Sequence, residues 1–160
     1  MAIRLTFVLL VTAAVTFSAA RAVSAQAPAQ QAQRGGAAPP TPPCGPNLSV
    51  KNVDKQSRCF ELRTYTVREG SSIDVLHSRF REHTSTLFIK HGMTIIGYWQ
   101  PLAKPNVLVY MLAYKDAAAR DTAWAAFNAD PEWVKVRTEM QVNVQVDSQF
   151  MSATDYSPMK

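Results

Sequence analysis

Three side chains in the stretch CFELRTYTV, Cys59 to Val67, have the types and spacing to do chemistry. Glu61, Arg63 and Tyr65 stand at alternate positions, and a strand sends alternate side chains to one face. A carboxylate, a guanidinium and a phenol in a row suit ligand binding: Arg63 orients an anionic or carbonyl group, and Tyr65 donates a hydrogen bond to it. The same groups equally suit one another. Buried charges need partners, and Glu61 and Arg63 can pair across the sheet or across a dimer. Phe60, Leu62 and Thr64 take the opposite face, where Phe60 and Leu62 suit packing under helices. The polar trio is then expected on the covered, barrel-interior side.

Histidine is the next candidate, because its ordinary pKa lies near neutrality. His83 sits on the edge of an apolar helical stripe, placed to act as a general acid or base or as a haem ligand. A half-buried histidine bonded to a neighbour is the structural alternative. His77 falls on the opposite flank, and His91 sits at the helix end, where a cation suits the dipole. His77 and His83 are out of register for a shared metal, and the chain has no HExxH motif, CxxC cluster or carboxylate pair. Tyr98, Trp99, Trp124 and Trp133 offer broad flat surfaces for a core, an interface or a ligand. Gly97 ahead of Trp99 leaves room for close approach, which makes Trp99 the candidate platform. Gly-rich phosphate loops, a GxSxG elbow and a dinucleotide fingerprint are absent from the sequence, which argues against nucleotides and serine hydrolysis.

The elements that must position these groups follow from periodicity. Cys59 to Val67 alternates and is rich in aromatic and β-branched residues, as a strand is. Gly70 breaks it, and Ser71-Ser72-Ile73-Asp74 opens a helix with a capping-box pattern. Ile73, Leu76, Phe80, Thr84 and Leu87 form its apolar stripe, and Gly92 ends it. MTIIGYWQ and NVLVYMLAY read as two strands. Asp116 caps a helix through AAARDTAWAAFNA, Pro131 opens a shorter one, and Val142 to Met151 alternates as the last strand. The order βαββαβ predicts an α+β, ferredoxin-like antiparallel sheet with its helices on one face. Yet NVLVYMLAY is apolar on both faces, and an open apolar face calls for cover. A second copy, sheet against sheet, is the simplest cover, so a homodimer is expected.

The chain around this domain divides by composition. Residues 1–25 read as a secretory signal peptide: Arg4 is the positive start, Leu5 to Ala20 the apolar stretch, Val23 and Ala25 the small residues before the cut. That stretch is shorter than the roughly 20 residues a membrane span needs. Residues 26–56 begin with a Pro-, Ala- and Gln-rich run that lacks the apolar side chains to offset its ordering entropy, as a disordered tether does. Residues 57–160 hold the folded domain, and export places it in the periplasm or outside the cell. The net charge of the whole chain is +5, but from Arg58 to Pro158 basic and acidic residues balance. Neither a nucleic-acid footprint nor a basic membrane-binding face is visible. Cys44 and Cys59, in an exported chain, suggest a disulfide between tether and first strand.

Five pieces in order, ELRTYTV, FREHTSTLFIKHGM, GYW, AWAAFNADPEW and DYSP, resemble the NIPSNAP family across Cys59 to Pro158. The resemblance implies a dimeric α/β barrel of ferredoxin-like fold. It also implies a wider group that includes cofactor-free monooxygenases, haem-binding enzymes and small-molecule isomerases or lyases. The expectation is therefore an exported domain binding a small, largely apolar ligand in a barrel-interior pocket. Glu61, Arg63, Tyr65 and Trp99 would bind it, His83 would act as base in cofactor-free proton transfer, and haem on His83 is the cofactor alternative. A non-enzymatic dimeric interaction module of the cell envelope is the other functional class.

Overall fold

A computed structural model describes residues 40–160 of the chain. The expected signal peptide and the first part of the tether lie outside the described residues. Strands β1 (Cys59–Val67), β2 (Thr94–Trp99), β3 (Val107–Tyr114) and β4 (Val144–Ser152) pair antiparallel in one sheet, in the order β2-β3-β1-β4. Between β1 and β2 runs a helix in three parts: α1 (Ile73–Arg79), a π-helical turn (Phe80–Thr84) and α2 (Ser85–Lys90). Helices α3 (Ala117–Ala129) and α4 (Pro131–Glu139) connect β3 to β4. This is the ferredoxin-like α+β arrangement that the periodicities predict.

Local chemistry explains the boundaries. Ser72 caps α1, its hydroxyl accepting from the Asp74 N–H at 3.2 Å, one residue later than a box begun at Ser71. Asp116 caps α3 through the Ala119 N–H at 2.8 Å. Asp130 caps α4 through the Glu132 N–H at 2.8 Å, with Pro131 in the first turn, where a missing N–H is harmless. Gly92 turns the chain after α2 with φ +77°, a conformation that side chains with a Cβ resist.

The two faces of β1 are reversed relative to expectation. Glu61, Arg63 and Tyr65 lie under the helices: Glu61 bonds to Arg120 and Trp124 of α3, and the Tyr65 ring meets Phe80 edge-on at 6.0 Å. Phe60, Leu62 and Thr64 lie on the open face. Alternation finds which residues share a face, but not which face the helices cover. Here α3 brings its own arginine and tryptophan to β1, so the polar face is the one that finds partners.

Tyr110 of β3 anchors the core with no exposure, its ring 5.1 Å from Phe80, 5.2 Å from Tyr65 and 5.9 Å from Phe88. Leu76, Leu87, Leu108, Leu112 and Phe127 fill the space around it. On the open face Phe60, Val107 and Ala113 are buried within the single chain, while Leu62, Val109 and Met111 stay half-buried. Cys44 and Cys59 are bonded, their Cα atoms 4.8 Å apart, tying the segment before the domain to the start of β1.

Strand β2 carries one irregularity with consequences. Its register slips between Ile95 and Gly97, leaving Ile96 as a bulge. Ile95 faces the helices opposite Leu112. Without the bulge Gly97 and Trp99 would share that face. With it, Tyr98 pairs with Tyr110 under the helices, and Trp99 pairs with Val109 on the open face.

Candidate functional site

Glu61 is fully buried, and its carboxylate is saturated. Arg120 grips it with both Nη2 to Oε1 at 2.9 Å and Nε to Oε2 at 3.0 Å. Arg63 Nη1 donates to Oε1, while Tyr114 OH and Trp124 Nε1 donate to Oε2 at 2.9 and 3.1 Å. A carboxylate has about four lone-pair sites, so five donors leave none for a ligand. Burial alone would push this acid up, but the Arg120 and Arg63 guanidiniums overcome it and hold the group at about 2. Such a group is ionised and poor at accepting a proton. Burial first, and then the same charge, push the Tyr114 phenol upward, which keeps it a donor.

Arg63 is spent inward as well. Its Nε donates to Tyr110 OH at 2.8 Å, its Nη2 reaches Tyr65 OH at 3.4 Å, and its guanidinium lies 4.4 Å from the centre of the Trp124 ring. Of the two readings of the alternating trio, mutual satisfaction describes Glu61 and Arg63. Arg120, which completes the cluster, escaped sequence reasoning. The available signal was its spacing from Trp124, four residues and one turn along α3.

The three histidines lie apart. His83, in the π turn, is half-buried, its imidazole makes no hydrogen bond among the described residues, and it lines neither cleft described below. His91 Nε2 bonds to Asp130 Oδ2 at 2.7 Å, joining the end of α2 to the cap of α4. Lys90 Nζ shares that oxygen at 2.8 Å, and the two bonds, Lys90 first, pull the Asp130 carboxyl below its usual range. His77 Nε2 meets Gln100 Oε1 at 3.1 Å.

His77 belongs to a cleft of about 390 Å³ between the α1–α2 helix and the β2 edge. Phe80, Tyr98, Trp99 and Leu108 supply its apolar surface; His77, Arg81, Ser85 and Gln100 supply its polar groups. The π turn and the bulge build it from opposite sides. In the π turn, the Phe80 carbonyl accepts from both the backbone N–H and the hydroxyl of Ser85, the latter at 2.8 Å. That wider turn sets Phe80, Arg81 and Ser85 against β2, and π turns recur at functional sites. The bulge turns Tyr98 inward, where its hydroxyl meets Ser85 Oγ at 2.8 Å and burial raises its pKa. Trp99 closes the rim: it is 50 % exposed and its ring lies over Gly97, where a Cβ would stand 2.9 Å from two of its ring carbons. A second cleft, around Arg68, Gly70 and Pro105, is a shallow surface depression.

A NIPSNAP family model matches residues 60–158, more than half of the chain. The chain belongs to the NIPSNAP family. Among solved structures, a NIPSNAP protein from Agrobacterium tumefaciens, described as of unknown function, is 20 % identical. Its TM-score is 0.57, over 64 % of this chain and 94 % of that one. An uncharacterized NIPSNAP-like domain protein from Burkholderia xenovorans is also 20 % identical, with TM-score 0.57 over 63 % and 89 %. A second B. xenovorans NIPSNAP domain protein is 22 % identical, with TM-score 0.54 over 62 % and 98 %. At such identities the likeness shows the fold alone. The comparison with curated proteins found no match.

Within this NIPSNAP domain, then, the expected ligand groups separate. Trp99 lines the cleft, whereas Glu61, Arg63 and Tyr65 sit in the polar core. Arg81 and Ser85 went unrecognised because straight-helix geometry does not place them beside β2. The sequence marks Tyr98 as a flat surface, but its facing depends on the Ile96 bulge, which regular alternation does not reveal.

Proposed function

We propose that this NIPSNAP protein binds a small, flat, largely apolar molecule carrying an anionic or acceptor group, in the cleft between β2 and the α1–α2 helix. The observation that carries this is the convergence there of the Phe80 and Tyr98 rings, with Trp99 at the rim, on the Arg81 cation and the His77–Gln100 pair. Its volume, about 390 Å³, falls in the ordinary range of small-molecule sites, roughly 300–1,000 Å³. The aromatic faces take the apolar body, and Arg81 at the exposed edge takes the charge. Binding is the core of this proposal; His77 is the group there able to accept a proton if turnover follows.

The domain is further proposed to act outside the cytoplasm as a homodimer. The buried Cys44–Cys59 bond is of the kind that persists in oxidising compartments, which supports export. The half-buried Leu62, Val109 and Met111 on the open face support a second copy against that face. The same apolar face favours a second functional reading, an interaction module of the cell envelope without a ligand.

Anilinonaphthalene sulfonate, a flat aromatic anion, tests the cleft directly. The native protein is expected to enhance its fluorescence with micromolar affinity, and Arg81→Ala and Trp99→Ala each to weaken binding about tenfold, the loss of about 1.4 kcal/mol. No saturable binding, or affinity unchanged in both variants, would move the weight to the interaction module.

A further inference from the structure

Among the described residues Arg79 is the buried cation without a counter-charge. The residue is 6 % exposed, yet no carboxylate lies within ion-pair distance of it among the described residues. Its Nη1 donates at 3.2 Å to the Met140 carbonyl, just past the C-terminal end of α4, where the helix dipole adds some negative charge. Its Nε has no acceptor. A guanidinium cannot relieve this by losing its proton. The two buried acids among the described residues are taken elsewhere: Glu61 is shared by Arg63 and Arg120, and Asp130 is held by Lys90 and His91. Under the helices, three guanidiniums therefore accompany the one Glu61 carboxylate.

Of the three further buried donors without acceptors among the described residues, Arg68 Nε lies at the second cleft, and Thr84 Oγ1 and Trp133 Nε1 belong to the helices that carry or cover Arg79. Trp133 faces Arg79 across the helix pair, its ring centre 5.5 Å from the guanidinium carbon. Thr84 is 1 % exposed and follows Arg79 by five residues, the hydrogen-bond period of the π turn that joins them. Burial acts to lower the pKa of both Arg79 and Arg120, but the Glu61 carboxylate more than restores Arg120, whereas no carboxylate restores Arg79. A buried cation without a carboxylate, in company with residues that hold unused N–H and O–H donors, is the complement of an oxyanion.

We propose that Arg79, Thr84 and Trp133 form a binding site for a small carboxylate, separate from the cleft at β2. A planar carboxylate accepts two guanidinium N–H bonds in the fork geometry and keeps lone pairs for the indole N–H and the hydroxyl. The site is closed by α4, so the anion enters by local opening of that short helix.

Acetate, compared with chloride at equal ionic strength, is the first probe. The readout is the Trp133 indole 1H–15N resonance of the full folded protein, assigned through bonds. Saturable movement of that resonance is expected, together with a rise in Tm of about 5 °C at ten times Kd. Arg79→Met, which removes the charge and keeps the bulk, is expected to abolish both effects, and Thr84→Val to weaken them several-fold. Hexanoate separates the two sources of the carboxylate: tighter binding than acetate identifies the head of a longer molecule, and weaker binding a free small anion. A Trp133 resonance that acetate leaves in place up to the solubility limit overturns the proposal, even if Arg79→Met fails to fold. An acetate response unchanged in Arg79→Met overturns it as well. Arg81→Ala, which addresses the β2 cleft, is expected to leave the acetate response intact.

Discussion

Glu61 shows what one buried charge demands of its neighbours. Its carboxyl group, normally near 4.5, is held at about 2 because Arg120 and Arg63 outweigh burial. A group whose pKa is depressed on folding adds stability above its unfolded value, and that stability is lost as pH falls through the folded value. The window is thus from about 4.5 down to about 2, and the stake is on the order of 3 kcal/mol at 1.36 kcal/mol per unit. Glu61→Gln removes the charge and leaves Arg63 and Arg120 buried without a carboxylate. Urea unfolding at pH 7 is expected to show a loss of about 3–5 kcal/mol. The deficit relative to the native chain is expected to shrink steadily below pH 4.5, where the native carboxylate itself begins to protonate. A deficit that stays constant through that window would show that Glu61 acts through packing rather than charge.

At the scale of elements, two departures from regularity make the cleft. The π turn widens the helix by one residue's worth of backbone, and the Ile96 bulge inverts the facing of the three residues after it. Both are single-residue events, and each re-aims several side chains. Gly97 is the hinge of this arrangement because the Trp99 ring occupies the space of its missing side chain. Gly97→Ala is therefore expected to lift Trp99 from the sheet, with a red or blue shift in tryptophan emission. Binding of anilinonaphthalene sulfonate is expected to weaken several-fold. The stability cost is expected to be about 1 kcal/mol or less, since Trp99 is half-exposed and free to yield. Unchanged emission with unchanged dye affinity would place the rim of the cleft elsewhere.

At the scale of the molecule, two features bear on how the domain holds together. The Cys44–Cys59 bond closes a loop over a sequence separation of 15 residues, for which the chain-entropy relation gives about 3 kcal/mol. The double substitution Cys44→Ser with Cys59→Ser is expected to lower the denaturant midpoint accordingly, and reductant to change the native protein but not the variant. Equal midpoints would show that the loop contributes little once the sheet has formed. The open face gives the second expectation: light scattering at micromolar concentration should report twice the chain mass, and Leu62→Glu, placing a charge amid that face, should report one chain. A native monomer would remove the dimer and leave Leu62, Val109 and Met111 as ordinary half-buried surface.

Local chemistry made much of this protein legible in its sequence. The four strands, the cap at Asp116, the helix start at Pro131 and the glycine after α2 follow from alternation, side-chain hydrogen bonding and φ preference, each of which acts within a few residues. The sharing of one face by Glu61, Arg63 and Tyr65 was legible for the same reason. Which face the helices would cover was not, because that depends on what α3 carries to it, nearly sixty residues downstream at Arg120. The bulge at Ile96 and the π turn at Phe80 are likewise settlements between distant elements: a strand and a helix each shift by one residue so that Tyr98 and Ser85 can meet. The elements could be read from the sequence because their causes are local. The positions of its charged and aromatic groups were decided by the tertiary structure, because a buried side chain's free energy depends on partners that only folding brings within reach.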